Sequence, residues 1–212
     1  MDSMLFIVTA VLMLLLGSVY VAGRERNKRK VLAFKAAATM IADLLAVIAA
    51  LQENTVSAWF IAVGIFLYAC ADVLLEIKFI WGILCFGFGH VWMIAGIGLQ
   101  GFSAGAAVLV FVLLYGIAFF LFRPYLGRLK QLKMPGLIYA ALLCMMSAAA
   151  WGAAITAGTM WSWARAVGSL CFVISDGIIG WTFIHRSRTR CSGAVLMILY
   201  YVAVYLLGAA GL

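Results

Sequence analysis

The chain has 212 residues, of which 67% are hydrophobic and only 10% are charged. A soluble domain is about half apolar and about a quarter charged, so this composition excludes an ordinary water-soluble fold and makes lipid the expected solvent. The net charge of +8 does not indicate nucleic-acid binding, because the basic residues form short runs between apolar segments. With two prolines and no long polar stretch, residues 1–212 are predicted to form one membrane domain.

A membrane-spanning helix needs about 20 predominantly apolar residues. Eight segments of about this length predict an all-α, polytopic bundle of eight transmembrane helices. In chain order, the predicted spans are residues 4–23, 31–51, 57–77, 79–99, 105–122, 135–157, 163–184 and 193–212. No basic residue precedes the first span, so we interpret it as a retained helix and not as a cleaved signal peptide.

The connections between the predicted spans alternate in charge. The first, third, fifth and seventh are basic, and the others contain no lysine or arginine. The basic residues are Arg24, Arg26, Lys28, Arg29, Lys30, Lys78, Arg123, Arg128, Lys130, Lys133, Arg186, Arg188 and Arg190. Because basic connections remain in the cytoplasm, we expect both termini outside. The compact chain suggests a bacterial inner membrane protein.

The third and seventh predicted spans resemble each other. Residues 57–80 align with residues 161–184 at a shift of 104. The most informative identities are Trp59 with Trp163, Gly64 with Gly168, and Asp72 with Asp176. A duplication of four helices explains them and predicts a parallel 4+4 repeat, in which both aspartates point the same way.

Ionisable residues inside a span are costly and are therefore functional candidates. Asp72 and Asp176 are the strongest, because they occupy corresponding positions and no basic residue near them in sequence neutralises them. With a rise of about 1.5 Å per residue, they lie about 9 and 15 Å from the predicted cytoplasmic end. Asp43 either pairs structurally with Lys35 or is a functional residue, and His90 is either a functional residue or an interhelical hydrogen-bond partner. Glu76 and Arg165 are expected near the interfaces.

Several short motifs make the sequence recognisable. They are GIFLYACADVLL (residues 64–75), GSLCFVISD (168–176), Tyr200-Tyr201-Val202-Ala203, Gly82 with Phe86 and His90 at four-residue spacing, and Pro135 with Tyr139. In order and spacing, they resemble the YhhN-like family of membrane lysoplasmalogenases over nearly the whole chain.

The resemblance implies a hydrolase that cleaves the vinyl-ether bond of a lysoplasmalogen into a fatty aldehyde and a glycerophospho-ethanolamine or -choline. It implies Asp72 and Asp176 as the catalytic pair. The lysine of the family's second-helix motif matches Lys35. Four positions depart from the family pattern, and Val204 is expected to remove a polar contact from the cavity. These positions are Ala36, Ala71, Met93 and Val204.

A vinyl ether is labile to acid, so two carboxyls in a poorly hydrated pocket suit its cleavage, as in glycoside hydrolysis. One aspartate would donate a proton and the other, ionised, would stabilise the cation; Asp176, predicted to lie deeper, is the expected acid. Lys35 is predicted to attract the substrate phosphate. His90, Tyr139, Tyr200 and Tyr201 are predicted to line the substrate site, in the cytoplasmic half of the bilayer.

No cofactor is expected, and the sequence has no spacing typical of metal ligands. The expected partners are a lysophospholipid substrate and membrane lipids. Two alternatives remain open from the sequence: a small proton-coupled transporter, and a non-catalytic membrane protein that binds lysolipids.

Overall fold

The computed structural model describes residues 3–24, 28–187 and 189–211, and within these ranges the chain is helical, with short connections and no strand. The all-α prediction is therefore confirmed. The α-helices are α1 (Ser3–Gly23), α2 (Lys28–Glu53), α3 (Val56–Ile77), α4 (Phe79–Gln100), α5 (Ala104–Phe122), α6 (Lys133–Ala157), α7 (Met160–His185) and α8 (Arg190–Ala209). Each predicted span overlaps one of them and differs by at most three residues at either end. The predicted end at Leu212, and Arg26 and Arg188 of the basic connections, lie outside the described residues.

Seven continuous helical segments in the described ranges are long and apolar enough to cross a membrane, one fewer than predicted. The difference lies in Ala104–Ala157, a segment of 54 residues. In this segment a 3₁₀ helix, Arg123–Leu132, connects α5 directly to α6. Lys130 bends the chain with φ 46° and ψ −117°, and α5 packs beside α6. The long segment therefore folds back on itself.

Short polar side chains begin four of the helices. Each accepts a hydrogen bond from a backbone N–H in the first turn, which replaces the water that a lipid environment cannot supply. These residues are Thr55 before α3, Ser103 before α5, Thr159 before α7 and Thr189 before α8. The caps thus fix where the apolar runs begin.

Helices α3 and α4 form the closest pair in the bundle, joined by Lys78 alone. The tight turn requires Gly82, because a Cβ atom there would lie 2.4 Å from the Cα atom of Leu75. Farther along, a Cβ atom on Gly89 would lie 2.5 Å from the ring of Tyr68. Glycine thus lets the Tyr68 ring lie directly against α4, beside His90.

Six helices form a closed ring, in the order α2, α3, α4, α6, α7 and α8, with α8 returning to α2. Helix α1 packs outside this ring against α2 and α8, and α5 packs outside it against α6. Adding four to the helix number converts each contact between neighbours in the ring into another contact between neighbours, whereas the smaller contact between α3 and α8 has no equally large counterpart between α7 and α4. Large apolar side chains, such as Leu109 and Val112 of α5, face outward toward lipid. The polar side chains described below lie inside the ring.

Candidate functional site

Asp72 of α3 lies at the centre of the first polar cluster, which we call the Asp72 centre. Its Oδ1 atom lies 2.9 Å from Nζ of Lys35, and its Oδ2 atom accepts hydrogen bonds from Thr39 at 2.5 Å and Tyr200 at 2.8 Å. Lys35 and Thr39 are one turn apart on α2, so both reach the same carboxylate. Asp72 is 1% exposed and Lys35 is 4% exposed. The Asp72 centre is therefore a buried, closed ion pair with additional hydrogen bonds.

This ion pair corrects two expectations from the sequence. Lys35 pairs with Asp72 and not with Asp43, and Asp72 therefore does have a neutralising cation, supplied by another helix. Asp43 is buried, and its Oδ1 atom has no hydrogen-bond partner among the described residues. The eight-residue separation of Lys35 and Asp43 was a poor guide, because the helix packing places the Lys35 ammonium group against α3.

The second cluster, which we call the Asp176 centre, is a chain of hydrogen bonds that ends at Asp176 of α7. The hydroxyl of Tyr139 donates to Oδ2 of Asp176, Nε2 of His90 lies 3.4 Å from that hydroxyl, and Nδ1 of His90 lies 2.7 Å from the hydroxyl of Tyr68. A neutral imidazole has one donor and one acceptor. With Tyr139 donating to Asp176, the network assigns the His90 proton to Nε2 and makes Tyr68 the donor to Nδ1.

The two centres differ in access. Asp176 is half-buried, and its Oδ1 atom accepts no hydrogen bond from any residue in the described ranges. Asp176 and Tyr139 line a cavity of about 200 Å³, whereas Asp72 and Lys35 do not. Only the Asp176 centre can meet a substrate directly in this conformation.

Aromatic rings separate the two centres. Phe172 lies at the middle of this layer, with its ring centroid 5.1 Å from those of Tyr68 and His90 and 5.5 Å from that of Tyr200. Phe86 packs edge-on against Phe172 at 5.9 Å. Such a layer excludes water from the space between the carboxyls and keeps the local dielectric low. At a low dielectric constant, charges on the two sides of this layer interact more strongly than they would across water.

The cavity is apolar apart from Asp176 and the two tyrosine hydroxyls. Its walls come from the end of α3, the start of α4, the second half of α5, the 3₁₀ helix, α6 and α7. Phe79 and Phe183, which occupy corresponding sequence positions, stack across it with centroids 4.9 Å apart. All these helix ends meet at the side of the bundle that carries the basic connections. The cavity is therefore an apolar pocket with a single carboxyl group, that of Asp176, among its lining residues.

The remaining predicted site residues are distributed between the two centres. Lys35 and Tyr200 belong to the Asp72 centre, and His90 and Tyr139 to the Asp176 centre. Tyr201 joins neither, since its ring lies over Gly17, and its hydroxyl has no hydrogen-bond partner in the described part of the chain. None of the four departures from the family pattern lines the cavity, and Val204, expected there, is a fully buried core residue.

Two site residues were not predicted. Thr39 has a recognisable signal, because it lies one helical turn after Lys35 and so shares its face. Tyr68 lies four residues before Asp72 and occupies the position that corresponds to Phe172, yet the sequence does not show that its hydroxyl reaches α4. Glu76 pairs with Arg24 at 3.1 Å and accepts a hydrogen bond from Tyr20, outside both centres.

Arg165, expected at an interface, is instead buried and donates hydrogen bonds to Gln100 and to the carbonyl of Ala210. No group of three or more histidine, cysteine, aspartate or glutamate side chains among the described residues is placed to hold a metal ion. The polar interior therefore consists of acid, base and hydroxyl groups.

The geometry defines a multi-pass helical membrane protein with a polar interior and an apolar cavity that leads to an aspartate. The chain belongs to the YhhN family, whose sequence profile matches residues 30–212. The predicted family is thereby confirmed. No curated protein and no solved structure matches the chain.

Proposed function

We propose that this protein hydrolyses the vinyl-ether bond of lysoplasmalogens, releasing a fatty aldehyde and a glycerophosphodiester, in a bacterial inner membrane. Family membership is consistent with this reaction. The observation that carries the proposal is the apolar cavity that contains Asp176 in its wall, with an Oδ1 atom that accepts no hydrogen bond from the described residues. The apolar walls match the chemistry of an alkenyl chain, and the reaction requires an acid beside it.

Asp176 is the proposed acid. Vinyl-ether cleavage begins with proton transfer to carbon, which leaves an oxocarbenium-like cation. Poorly hydrated, apolar surroundings favour the neutral form of a carboxyl group. Asp176 faces the apolar cavity, and Lys35 is bound to Asp72 and not to Asp176. Its Oδ1 atom would carry the proton toward the substrate.

Asp72 is the proposed fixed negative charge. Its ion pair with Lys35 and two hydrogen bonds favour the ionised form and hold the carboxylate in place. Such a preorganised charge, partly offset by Lys35, would stabilise a developing cation without reorganisation. Because Asp72 does not line the cavity, this stabilisation acts through the aromatic layer and not by contact. This differs from the expected pair of carboxyls in one pocket, and it makes Asp72 a positioning residue.

The second half of the reaction returns the proton. Water adds to the cation to form a hemiacetal, and the proton that it loses passes to the Asp176 carboxylate. The hemiacetal then collapses to aldehyde and alcohol. Tyr139 holds Oδ2 of Asp176 throughout, and His90 and Tyr68 hold Tyr139. This chain keeps the carboxyl group oriented toward the cavity in both protonation states.

We propose that this activity is built on eight spans arranged as two parallel halves of four helices, with both termini outside. One support is the packing of α5 beside α6, because it means that the segment containing both helices crosses the membrane twice. The other is the correspondence of ring contacts between the two halves. The alternating charge of the connections supports the orientation.

The proposal is tested by aldehyde release from a lysoplasmalogen with the protein purified in a neutral detergent. The control substrate is the lysolipid with a saturated alkyl ether at the same position, which acid does not cleave under these conditions. We expect aldehyde from the vinyl ether alone. Binding of the lysolipid without product would instead support the non-catalytic alternative, and uptake into proteoliposomes without product would support the transporter.

A further inference from the structure

The connection between α5 and α6 has an unusual form. Its 3₁₀ stretch, Arg123–Leu132, is divided by a bend at Lys130, where φ is 46° and ψ is −117°. We call this stretch together with Lys133 the basic cover. Leu126 and Leu129 lie three residues apart before the bend, a spacing that aligns side chains in 3₁₀ geometry, and Leu132 follows the bend. All three leucines line the cavity. The apolar ridge of the basic cover thus closes one end of the pocket.

The other side of the basic cover is cationic. Arg123, Arg128, Lys130 and Lys133 are all exposed. The sequence has no aspartate or glutamate from residue 77 to residue 175. No carboxylate in the described ranges lies within ion-pair distance of these four side chains. Four cations without a carboxylate partner in the described part of the chain therefore lie on the same connection as three leucines that line the cavity.

The basic cover is attached to α7 by aromatic contacts. The ring of Tyr125 packs edge-on against His185 at 4.7 Å and against Trp181 at 5.8 Å, and the guanidinium group of Arg128 lies 5.2 Å above the same ring. These contacts fix Arg128 beside the cavity end of α7, the helix that carries Asp176. The cations are thus held in place relative to the proposed acid.

The structure assigns no phosphate-binding role to Lys35. Lys35, the residue expected to attract the phosphate, is buried in the ion pair with Asp72 and does not line the cavity. A lysophospholipid has one apolar chain and a phosphodiester at its polar end. Arginine binds phosphate oxygens through charge-assisted, often bidentate hydrogen bonds. The basic cover offers an apolar ridge and such cations on the same short connection between α5 and α6.

We infer that the basic cover binds the phosphodiester of the lysophospholipid substrate, with Arg123 and Arg128 as its principal ligands, while its leucine ridge contacts the chain. This inference rests on the proposed function and adds the residues that recognise the head group. The ligand is the phosphate itself, so ethanolamine and choline head groups are both accepted.

The test measures binding, which does not depend on turnover. The probes are a lysophospholipid with a saturated alkyl chain and the glycerol ether with the same chain but no phosphate. The variant Arg123→Gln/Arg128→Gln is compared with Lys30→Gln/Arg190→Gln. The latter removes two charges from the starts of α2 and α8, which do not line the cavity. We expect the cover variant to lose about tenfold in affinity for the phospholipid, as charge-assisted hydrogen bonds require, and none for the glycerol ether. The conservative variant Arg123→Lys/Arg128→Lys should recover part of the loss.

Three results would overturn the inference: equal losses for both probes, equal losses in the control variant, or displacement of the lysolipid by inorganic phosphate at the same concentration. The last result would assign the site to free phosphate. Phosphate-dependent binding without any aldehyde release would support the inference and contradict the proposed function. If aldehyde is released but Arg123→Gln/Arg128→Gln binds the lysophospholipid as tightly as the wild type, the result would support the proposed function and contradict this inference.

Discussion

The Asp72 centre and the Asp176 centre contain aspartates at corresponding positions of two helices, yet they are built differently. Asp72 is enclosed by a lysine, a threonine and a tyrosine. Asp176 has a tyrosine on one oxygen and a cavity beside the other. A buried ion pair fixes a charge, whereas a carboxyl that faces a cavity can exchange a proton. The comparison teaches that the neighbours supplied by other helices determine what each aspartate does.

Replacing Asp176 should have the largest effect. The variant Asp176→Asn keeps an acceptor for Tyr139 but removes the transferable proton, and loss of a general acid typically costs about 10²–10⁴-fold in rate. Aldehyde release should fall within this range while the thermal stability in detergent stays close to that of the wild type. Full activity in this variant would remove Asp176 from the reaction.

Breaking the ion pair of the Asp72 centre should chiefly affect stability. Lys35→Met leaves Asp72 buried without its cation, which costs about 3–5 kcal/mol when one partner of a buried pair is removed. The double variant Lys35→Met/Asp72→Asn should recover most of that loss, because no charge is left unpaired. Chemical denaturation in detergent measures both. If both variants are equally unstable, the ion pair does not explain the loss.

The double variant also distinguishes the contributions of the two centres to aldehyde release. If Asp72 acts as a fixed charge, Lys35→Met/Asp72→Asn should fold and still release aldehyde slowly. If Asp72 is not needed, the double variant should match the wild type in rate, and the Asp176 centre would then work alone.

Removing one hydroxyl from the Asp176 centre should have a smaller effect. Tyr139→Phe removes the donor to Asp176 and should lower the turnover number about tenfold, as expected for a group that only orients the acid. The pH profile of turnover should move as well, because Tyr139 contacts the titrating group. The matched control is Tyr115→Phe, since Tyr115 also lines the cavity. Equal losses in both variants would indicate a general effect of tyrosine hydroxyls.

Filling the cavity should have the smallest and most selective effect. A Cβ atom on Gly177 meets nothing within 4 Å, so Gly177→Leu places its side chain in open space next to Asp176. Relative to the wild type, the variant should lose several-fold in kcat/KM for long alkenyl chains and less for short ones. Gly116→Leu adds the same side chain where the neighbourhood is equally open but outside the cavity, and it should leave the chain-length preference unchanged.

The sequence predicted the helices well because long apolar runs and capping residues are local signals. It also identified both aspartates, His90, Tyr139 and Tyr200. It did not predict which groups meet, since the Lys35–Asp72 pair depends on how α2 packs against α3. Lys35 was predicted to attract the substrate phosphate, but in the structure it is bound to Asp72. The count of spans differs because helical structure continues through residues 123–132, which apolar run lengths cannot show.

Helix α5 stands outside the ring, and apart from the 3₁₀ helix that follows it, α6 is its main packing partner. Tyr115, Phe119 and Phe122 of α5 nevertheless form one side of the cavity. Between α5 and the facing helices α4 and α7, side chains enclose the cavity, and in a membrane acyl chains would border them. The bilayer would then form part of the pocket, so that under the proposed function membrane thickness and fluidity should influence turnover.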